Sequence, residues 1–416
     1  MTKANFPSGA QMQISLFHTA FKGTGGAEVL AAMQAQALRA GGDQVNLVSF
    51  AFDSDTWSEA FQGVPHRVVS KRQLGDLFSF WDHVQQLKRR GHRAMQALKG
   101  QAPDLVLSHH PSCCAMLGDP TWETPVAWYC HEPSRTLYPA VTNRHLVAAV
   151  KDGYPDASPT LRRIVEEWQG PTDSPSKVAF DQEGVKRART IIANSQFCRD
   201  GVNKVYGRED IQVVYPMVRF PDSVSHRQGM DRSGLQILVQ TPLGLLKNIH
   251  IVLKGFALAQ TRLGSDARVH VVGEGGERPR LEALCRELGI QGAVTFHGFL
   301  GWEKLREVKR ACDVFALLPW DEPFGLVYPE SAADGLLLLG PDHGGPMEIL
   351  EGGKFGWTAP SHNAHLVAEA LESIWSLSDA EADRRRIEAD QACRARYSPQ
   401  FIGPQLQKVL ADCLKG

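Results

Sequence analysis

VFALLPWDEPFGLVYPESAADGLLLLGPDHGG, from Val314 to Gly345, holds one full turn of the fold. Val314 to Leu318 is a short apolar run with the length of a buried strand. Pro323, Phe324 and Gly325 make a turn, and the segment after them starts a helix. Gly335 to Leu339 is a second buried strand. Strand, helix and strand in succession imply two parallel strands with the helix on one face of the sheet.

The same alternation extends in both directions. Upstream in this half, Leu235 to Gln240, Arg268 to Val272 and Val294 to His297 read as strands. Ile249 to Ala259, Arg278 to Leu288 and Trp302 to Ala311 read as helices. Downstream, Asn363 to Ser376 and a stretch near 380–397 are helical. The polar, turn-rich segment RFPDSVSHRQGMDRSG, residues 219–234, marks a domain boundary. Before it the pattern appears once more. Met12 to His18, Gln44 to Phe50, Leu105 to His109, Val126 to Cys130, Thr190 to Asn194 and Val213 to Tyr215 read as strands. Glu28 to Arg39 and residues 80–99 read as helices, the latter with Trp81, Val84, Leu87, Met95 and Leu98 inward. The expected organisation is α/β with two doubly wound parallel-sheet domains, residues 1–220 and 221–395. An amphipathic helix follows over 396–416, with Leu406, Val409, Leu410 and Leu414 on its apolar side.

Composition sets the class. The chain has 416 residues, 43% hydrophobic and 22% charged, with a net charge of −1. Near-neutrality argues against a nucleic-acid binder. No run reaches the roughly 18 apolar residues of a membrane helix, and no secretory leader is read, so the expected location is cytoplasmic. Eight scattered cysteines without a CxxC pair read as buried, reduced thiols. The histidines show no zinc spacing, so no metal is expected. Residues 1–220 carry +3 and residues 221–416 carry −4. Lys71, Arg72, Lys88, Arg89, Arg90 and Arg93 form a basic cluster. It reads as a solvated helix face or as a peripheral contact with an anionic membrane surface.

Two glycine loops follow strands. Gly23-Thr24-Gly25-Gly26-Ala27-Glu28 opens a helix, a context suited to a phosphate. Glu28 stands where the dinucleotide fingerprint needs glycine, and Arg278 does the same after Gly273-Glu274-Gly275, so neither loop marks a nicotinamide enzyme. Glu322 and Glu330 are eight residues apart. One carboxylate lies in the loop mouth and the other one to two turns into the helix, where two acids can grip two hydroxyl-bearing parts of one ligand.

WDEPFGLVYPE, Trp320 to Glu330, resembles the E-x7-E signature of glycosyltransferase family 4, the retaining glycosyltransferases of the GT-B fold. Other segments match in order. Thr24 to Glu28 resembles the GGxE loop, and Tyr129-Cys130-His131-Glu132-Pro133-Ser134-Arg135 the YCHxPxR segment of mannosyltransferase-like members. Lys247-Asn248-Ile249 resembles the phosphate loop. Val272 to Gly275 and Phe296 to Leu300 resemble the nucleotide-binding strand ends, and Gly344-Gly345-Pro346 with Glu348 the GGxxE turn.

The resemblance implies two Rossmann-like domains facing across a cleft that holds a GDP- or UDP-sugar donor, with GDP-mannose the first guess. The acceptor would be a glycan or lipid-linked glycan. No bound cofactor and no metal are implied. It assigns Glu322 to the donor sugar, His131 to the same sugar, and Lys247 to the diphosphate. Glu330 would hold the ribose. Gly25 and Gly26 would let the backbone approach the phosphates. The amides of Phe324, Gly325 and Leu326, the Gly273 loop, and Phe299 beside the base would complete the donor site. Arg135, Tyr138 and His109 would face the acceptor.

The family's arginine before the phosphate lysine is replaced here by Thr241 and Pro242, with Lys304 a candidate substitute. That departure supports a second reading, a GT-B protein that binds a sugar nucleotide without transferring it. Another GT-B enzyme, such as a sugar-nucleotide epimerase or a phosphorylase, is the third.

Overall fold

A computed structural model describes residues 11–23, 25–69, 83–169, 175–221, 228–230 and 232–415. Thr24, Lys71, Arg72, Trp81 and part of the 219–234 segment lie outside the described residues.

The chain forms two parallel sheets. The first contains β1 (Gln13–His18), β2 (Gln44–Ser49), β3 (His66–Val68), β4 (Leu105–Ser108), β5 (Val126–Cys130), β6 (Thr190–Ala193) and β7 (Ile211–Val213). The second contains β8 (Gln236–Gln240), β9 (Arg268–Val272), β10 (Val294–Gly298), β11 (Val314–Ala316), β12 (Leu337–Pro341) and β13 (Trp357–Ala359). Their orders are β3-β2-β1-β4-β5-β6-β7 and β10-β9-β8-β11-β12-β13. This is a pair of doubly wound, Rossmann-like sheets.

Central strands are mainly apolar because helices cover both faces of a parallel sheet. In β5 and β11 every residue is buried. Where β1 carries a polar residue inside, it is paired: the Ser15 hydroxyl bonds Asn46 Oδ1 on β2 at 2.7 Å. The edges are weaker. All three residues of β3 are exposed, and this strand has no apolar alternation to read in the sequence. β13 is equally short. The strand expected over Val213 to Tyr215 starts two residues earlier, at Ile211. The four helices Pro139–Thr142, Arg144–Lys151, Pro159–Gln169 and Pro175–Arg187 are further elements that the periodicity did not reveal.

By its contacts the chain divides into two compact units. One gathers the chain up to Thr142, Glu166–Met217 and the stretch from Pro399 on; the other gathers Asn143–Val165 and Val218–Ser398. The helix Pro399–Lys415 therefore belongs with β1. It lays Ile402, Leu406 and Leu410, all fully buried, into the same core as Leu30, Ala31, Ala35 and Leu38 of the helix Gly26–Ala40. Gln407 fixes its register by donating to the Gly41 carbonyl at 3.0 Å and to Asp43 at 2.8 Å. In the second unit the helices Ile249–Ala259 and Ala364–Trp375 pack on each other, and Val327–Ala333 packs on Asp379–Tyr397.

Each sheet reverses its strand order once, between β1 and β4 and between β8 and β11. Connections leave such a point toward opposite faces, so a crevice opens beyond the carboxyl ends of those strands. The loops there carry Gly25 and His109 in one unit and Lys247 and Glu322 in the other. The basic residues Lys88, Arg89, Arg90 and Arg93 lie on the helix His83–Lys99. Among the described residues no helix is long and apolar enough to cross a membrane.

Leu406→Ala should cost about 2–5 kcal/mol, because it empties a fully buried leucine site between two helices. A thermal melt followed by calorimetry checks this. A loss below about 0.5 kcal/mol would place Leu406 outside the core.

Candidate functional site

Lys247 closes a short 3-10 turn, Leu245–Lys247, after β8. The next residue, Asn248, takes a left-handed conformation (φ 57°), which asparagine tolerates better than most side chains. Its amide is buried and donates to the carbonyls of Leu318 at 2.8 Å and Ser361 at 2.7 Å. Trp320 N–H donates to the Leu246 carbonyl at 2.9 Å. These bonds tie the lysine loop to the segment after β11, which carries Glu322. The result is an ion pair: Lys247 Nζ lies 2.7 Å from Glu322 Oε2, with both side chains partly shielded.

The Glu322 loop is backed by the turn after β12. Gly345 N–H donates to the Glu322 carbonyl at 2.9 Å. A Cβ on Gly345 would collide with the Pro323 carbonyl and Phe324 Cα, so only glycine permits the approach. The Phe324 ring is buried edge-on against Tyr397, with centroids 5.3 Å apart, so this residue offers its backbone rather than its ring. Leu326 stands at the N-cap of the helix Val327–Ala333, which carries Glu330. Burial pushes the Glu330 carboxyl above its usual range, Lys309 opposes the shift and Asp334 adds to it. Lys309 is itself buried and bonds Asp334 at 2.7 Å.

The turn at Gly273 closes against β10 through a bond from its N–H to the Gly298 carbonyl at 2.9 Å. The Phe299 ring beyond it is 79% exposed. Thr241 is buried, and Lys304 is exposed on the helix Trp302–Ala311.

In the other unit, Gly25 is the N-cap of the helix Gly26–Ala40. Burial raises the Glu28 carboxyl above its usual range, and the bond from its own N–H partly offsets this. His18, His109 and His131 stand at or just past the ends of β1, β4 and β5. His109 Nδ1 and His131 Nε2 are 3.3 Å apart, and Asn194 holds the His131 carbonyl at 2.9 Å. Burial, then the neighbouring His18 and His110, pull His131 down to about 3. His18 falls to about 4 by burial and by His110. His109 is only 1% exposed, beside His131, and its ring stacks on Tyr129 at 5.5 Å. Arg135 pairs with Glu132 at 2.6 Å. The Tyr138 hydroxyl donates to Asp181, as does Tyr206, each at 2.8 Å.

One cluster was not singled out from the sequence. His145 Nδ1, Asp321 and His343 offer ligand atoms within 4.8 Å of one another, the single group among the described residues with a geometry that could hold a metal ion. His145 lies 176 residues from Asp321, so no spacing motif signals the pair.

Comparison with known proteins agrees with this architecture. A model described as Glycosyltransferase Family 4 matches residues 24–219, and one described as Glycosyl transferases group 1 matches residues 231–392. A D-inositol 3-phosphate glycosyltransferase of Rhodococcus erythropolis is 28% identical over 283 residues, 64% of this chain and 61% of that protein. An N-acetyl-alpha-D-glucosaminyl L-malate synthase of Bacillus anthracis is 26% identical over 241 residues, 56% of this chain and 62% of its own. The matched region thus spans less than two thirds of either relative. Among solved structures, Anabaena Alr3699/HepE in complex with UDP and glucose superposes with a TM-score of 0.69 at 19% identity, covering 97% of this chain and 100% of that one. A sucrose-phosphate synthase of Thermosynechococcus elongatus gives 0.69 at 15% identity, covering 97% and 99%. With a family 4 model over its first half, a group 1 model over its second and two Rossmann-like sheets beneath them, the chain belongs to the family 4-like glycosyltransferases of the GT-B fold.

Proposed function

We propose that this chain transfers a hexose from a nucleotide-sugar donor to a hydroxyl acceptor with retention of anomeric configuration. The observation that carries the reading is the Lys247–Glu322 pair at 2.7 Å, set at the strand-order reversal of the second sheet with Glu330 on the helix that follows. A UDP-sugar is the favoured donor, since the Anabaena protein of the same fold has been seen with UDP-glucose. GDP-mannose, expected from the His131 segment, comes next. Two relatives are named for D-inositol 3-phosphate and for L-malate. A small anionic polyol or hydroxy acid therefore joins glycans and lipid-linked glycans as an acceptor class.

In this reading the donor diphosphate takes Lys247 from Glu322. Glu322 is then released to accept hydrogen bonds from the sugar. The C1–O bond breaks with its electron pair going to the phosphate oxygen, whose charge Lys247 neutralises. The acceptor oxygen attacks C1 from the same face, and its proton passes to the leaving phosphate. Preorganised charge of this kind acts strongly in a water-poor site. Glu330 binds the ribose hydroxyls, and Phe299 lies beside the base. His131, assigned to the sugar by the sequence resemblance alone, is kept neutral by burial. No metal takes part in this scheme. The absence of an arginine at 241 or 242 favours a second reading, donor binding without transfer. Calorimetry that detects UDP-glucose binding, with no turnover across a broad acceptor panel, would establish it.

Lys247→Ala and Glu322→Gln should each slow nucleotide release from a donor panel by ~10²–10³, by analogy with one lost oxyanion donor. Release at the parental rate in either variant would sink the site assignment.

Glu330→Gln should weaken UDP binding at least tenfold yet raise the melting temperature of the unliganded protein at neutral pH. The carboxyl is raised in the folded state, so its stability contribution is complete below the unfolded value and is lost as pH rises through the folded one. Glutamine removes that loss. A lower melting temperature would show that the carboxylate is stabilising.

His18 and His131 are depressed to about 4 and about 3, so they stay neutral while the unfolded chain takes up protons below about 6.5. Stability should fall as pH drops from about 6.5 toward 4, and the turnover profile should show no His131 limb between pH 5 and 8. An NMR titration of His131 with a midpoint near 6.5 would contradict both.

A further inference from the structure

We propose that Asp321 and His145 form a clamp that positions Glu322 for the donor sugar. The proposal rests on the function proposed above, in which Glu322 contacts that sugar.

Asp321 is fully buried and left-handed, with φ 49°. Its Oδ1 accepts the His145 backbone N–H at 3.1 Å and the His145 ring Nδ1 at 2.7 Å, and its Oδ2 accepts the Leu146 N–H at 3.1 Å. Both residues are in the first turn of the helix Arg144–Lys151, whose own N-cap, Asn143, makes no side-chain capping bond. Asp321 therefore caps that helix from a distant part of the chain, where a carboxylate suits the unsatisfied N–H groups and the helix dipole. Burial opposes the charge, but the His145 ring and the two backbone N–H groups outweigh it and hold the carboxyl below its usual range.

The same stretch grips the neighbouring residue. Trp320 is buried, with Tyr154 edge-on at 5.7 Å and His362 stacked at 6.4 Å. Tyr154 is fastened by its hydroxyl to His250 Nε2 at 3.1 Å, and Asp156 by Lys254 at 2.5 Å. Residues 320 and 321 are thus both held by the segment 143–165. Glu322, next in the chain, turns its carboxylate to Lys247. With Asp321 fixed in an uncommon backbone conformation, the direction in which Glu322 leaves the loop is fixed as well.

A metal reading of the His145–Asp321–His343 group fits less well. Both Asp321 oxygens already accept N–H donors, and His343 Nε2 faces the Asp321 N–H at 3.4 Å while its Nδ1 meets Asp342 at 3.1 Å. An ion would have to displace the helix cap.

The test uses the full chain and nucleotide release from UDP-glucose or GDP-mannose, whichever the parent turns over faster. Asp321→Asn keeps the shape but replaces an acceptor by an amide N–H₂. It should lower kcat by ~10–100-fold, as sub-ångström to ångström misplacement does, with the donor KM within about twofold. His145→Ala, which leaves both backbone donors, should give a smaller loss and serves as the variant more certain to fold. In a Glu322→Gln background Asp321→Asn should cause no further loss, since it acts through Glu322. A full additional loss there, or unchanged kcat with only a lowered melting temperature, would overturn the clamp and leave the site reading intact. Unchanged turnover in Glu322→Gln alone would instead remove the site reading and the clamp with it. Stoichiometric zinc binding by calorimetry, abolished in Asp321→Asn, would also overturn the clamp in favour of a metal site.

Discussion

Parallel strands cannot be joined by a tight turn, and this constraint organises the whole molecule. Each connection must cross a face of its sheet, usually as a helix. All carboxyl strand ends of a sheet then lie along one edge, and the order reversals at β1/β4 and β8/β11 part the loops there. Residues far apart in the sequence, such as Lys247 and Glu322, meet because they follow adjacent strands. No local motif could bring them together. The Lys247–Glu322 pairing is thus a by-product of how parallel sheets must be wired, refined by side chains that lock individual loops.

Two locks in the second unit are inexpensive. Asn248 spends one amide on two carbonyls and so joins the loops after β8 and β11. Gly345 contributes by having no side chain, which lets the turn after β12 lie against the backbone of Pro323 and Phe324. Around these, charged groups sit in tension. Glu330 is driven toward its neutral form by burial, and Asp321 is held ionised by its donors. The two carboxyls differ because Glu330 has no cation bonded to it among the described residues, while Asp321 accepts three N–H donors.

The sequence was legible where burial on both faces leaves continuous apolar runs. β1, β5, β8 and β11 could be read that way, as could the long amphipathic helices. It was illegible where structure is set by distant partners. β3 is three exposed residues held by backbone pairing to β2. The segment 143–165 sits between strands of the first sheet in sequence yet groups with the second unit, through Tyr154, Asp156 and the Asp321 cap. In the site, Glu322, Glu330 and Lys247 stood out by motif. Asp321 adjoins the most conspicuous glutamate but looks like an ordinary loop acid until its helix is seen. The partners of His109 were also hidden: its ring is buried, with His131 at 3.3 Å.

The helix Pro399–Lys415 has a consequence for how the protein is made. Ile402, Leu406 and Leu410 complete the core around β1, yet they follow the entire second unit in the chain. During synthesis the first sheet emerges early but stays without part of its apolar cover until the second unit has been translated. Its exposed helix face must wait, and the closing contact joins residues nearly the full chain length apart. Such long-range closure is slow, and transiently uncovered apolar surface is what chaperones hold. The order of translation and the order of consolidation are therefore reversed: the second unit, though made later, is the first whose core can be finished.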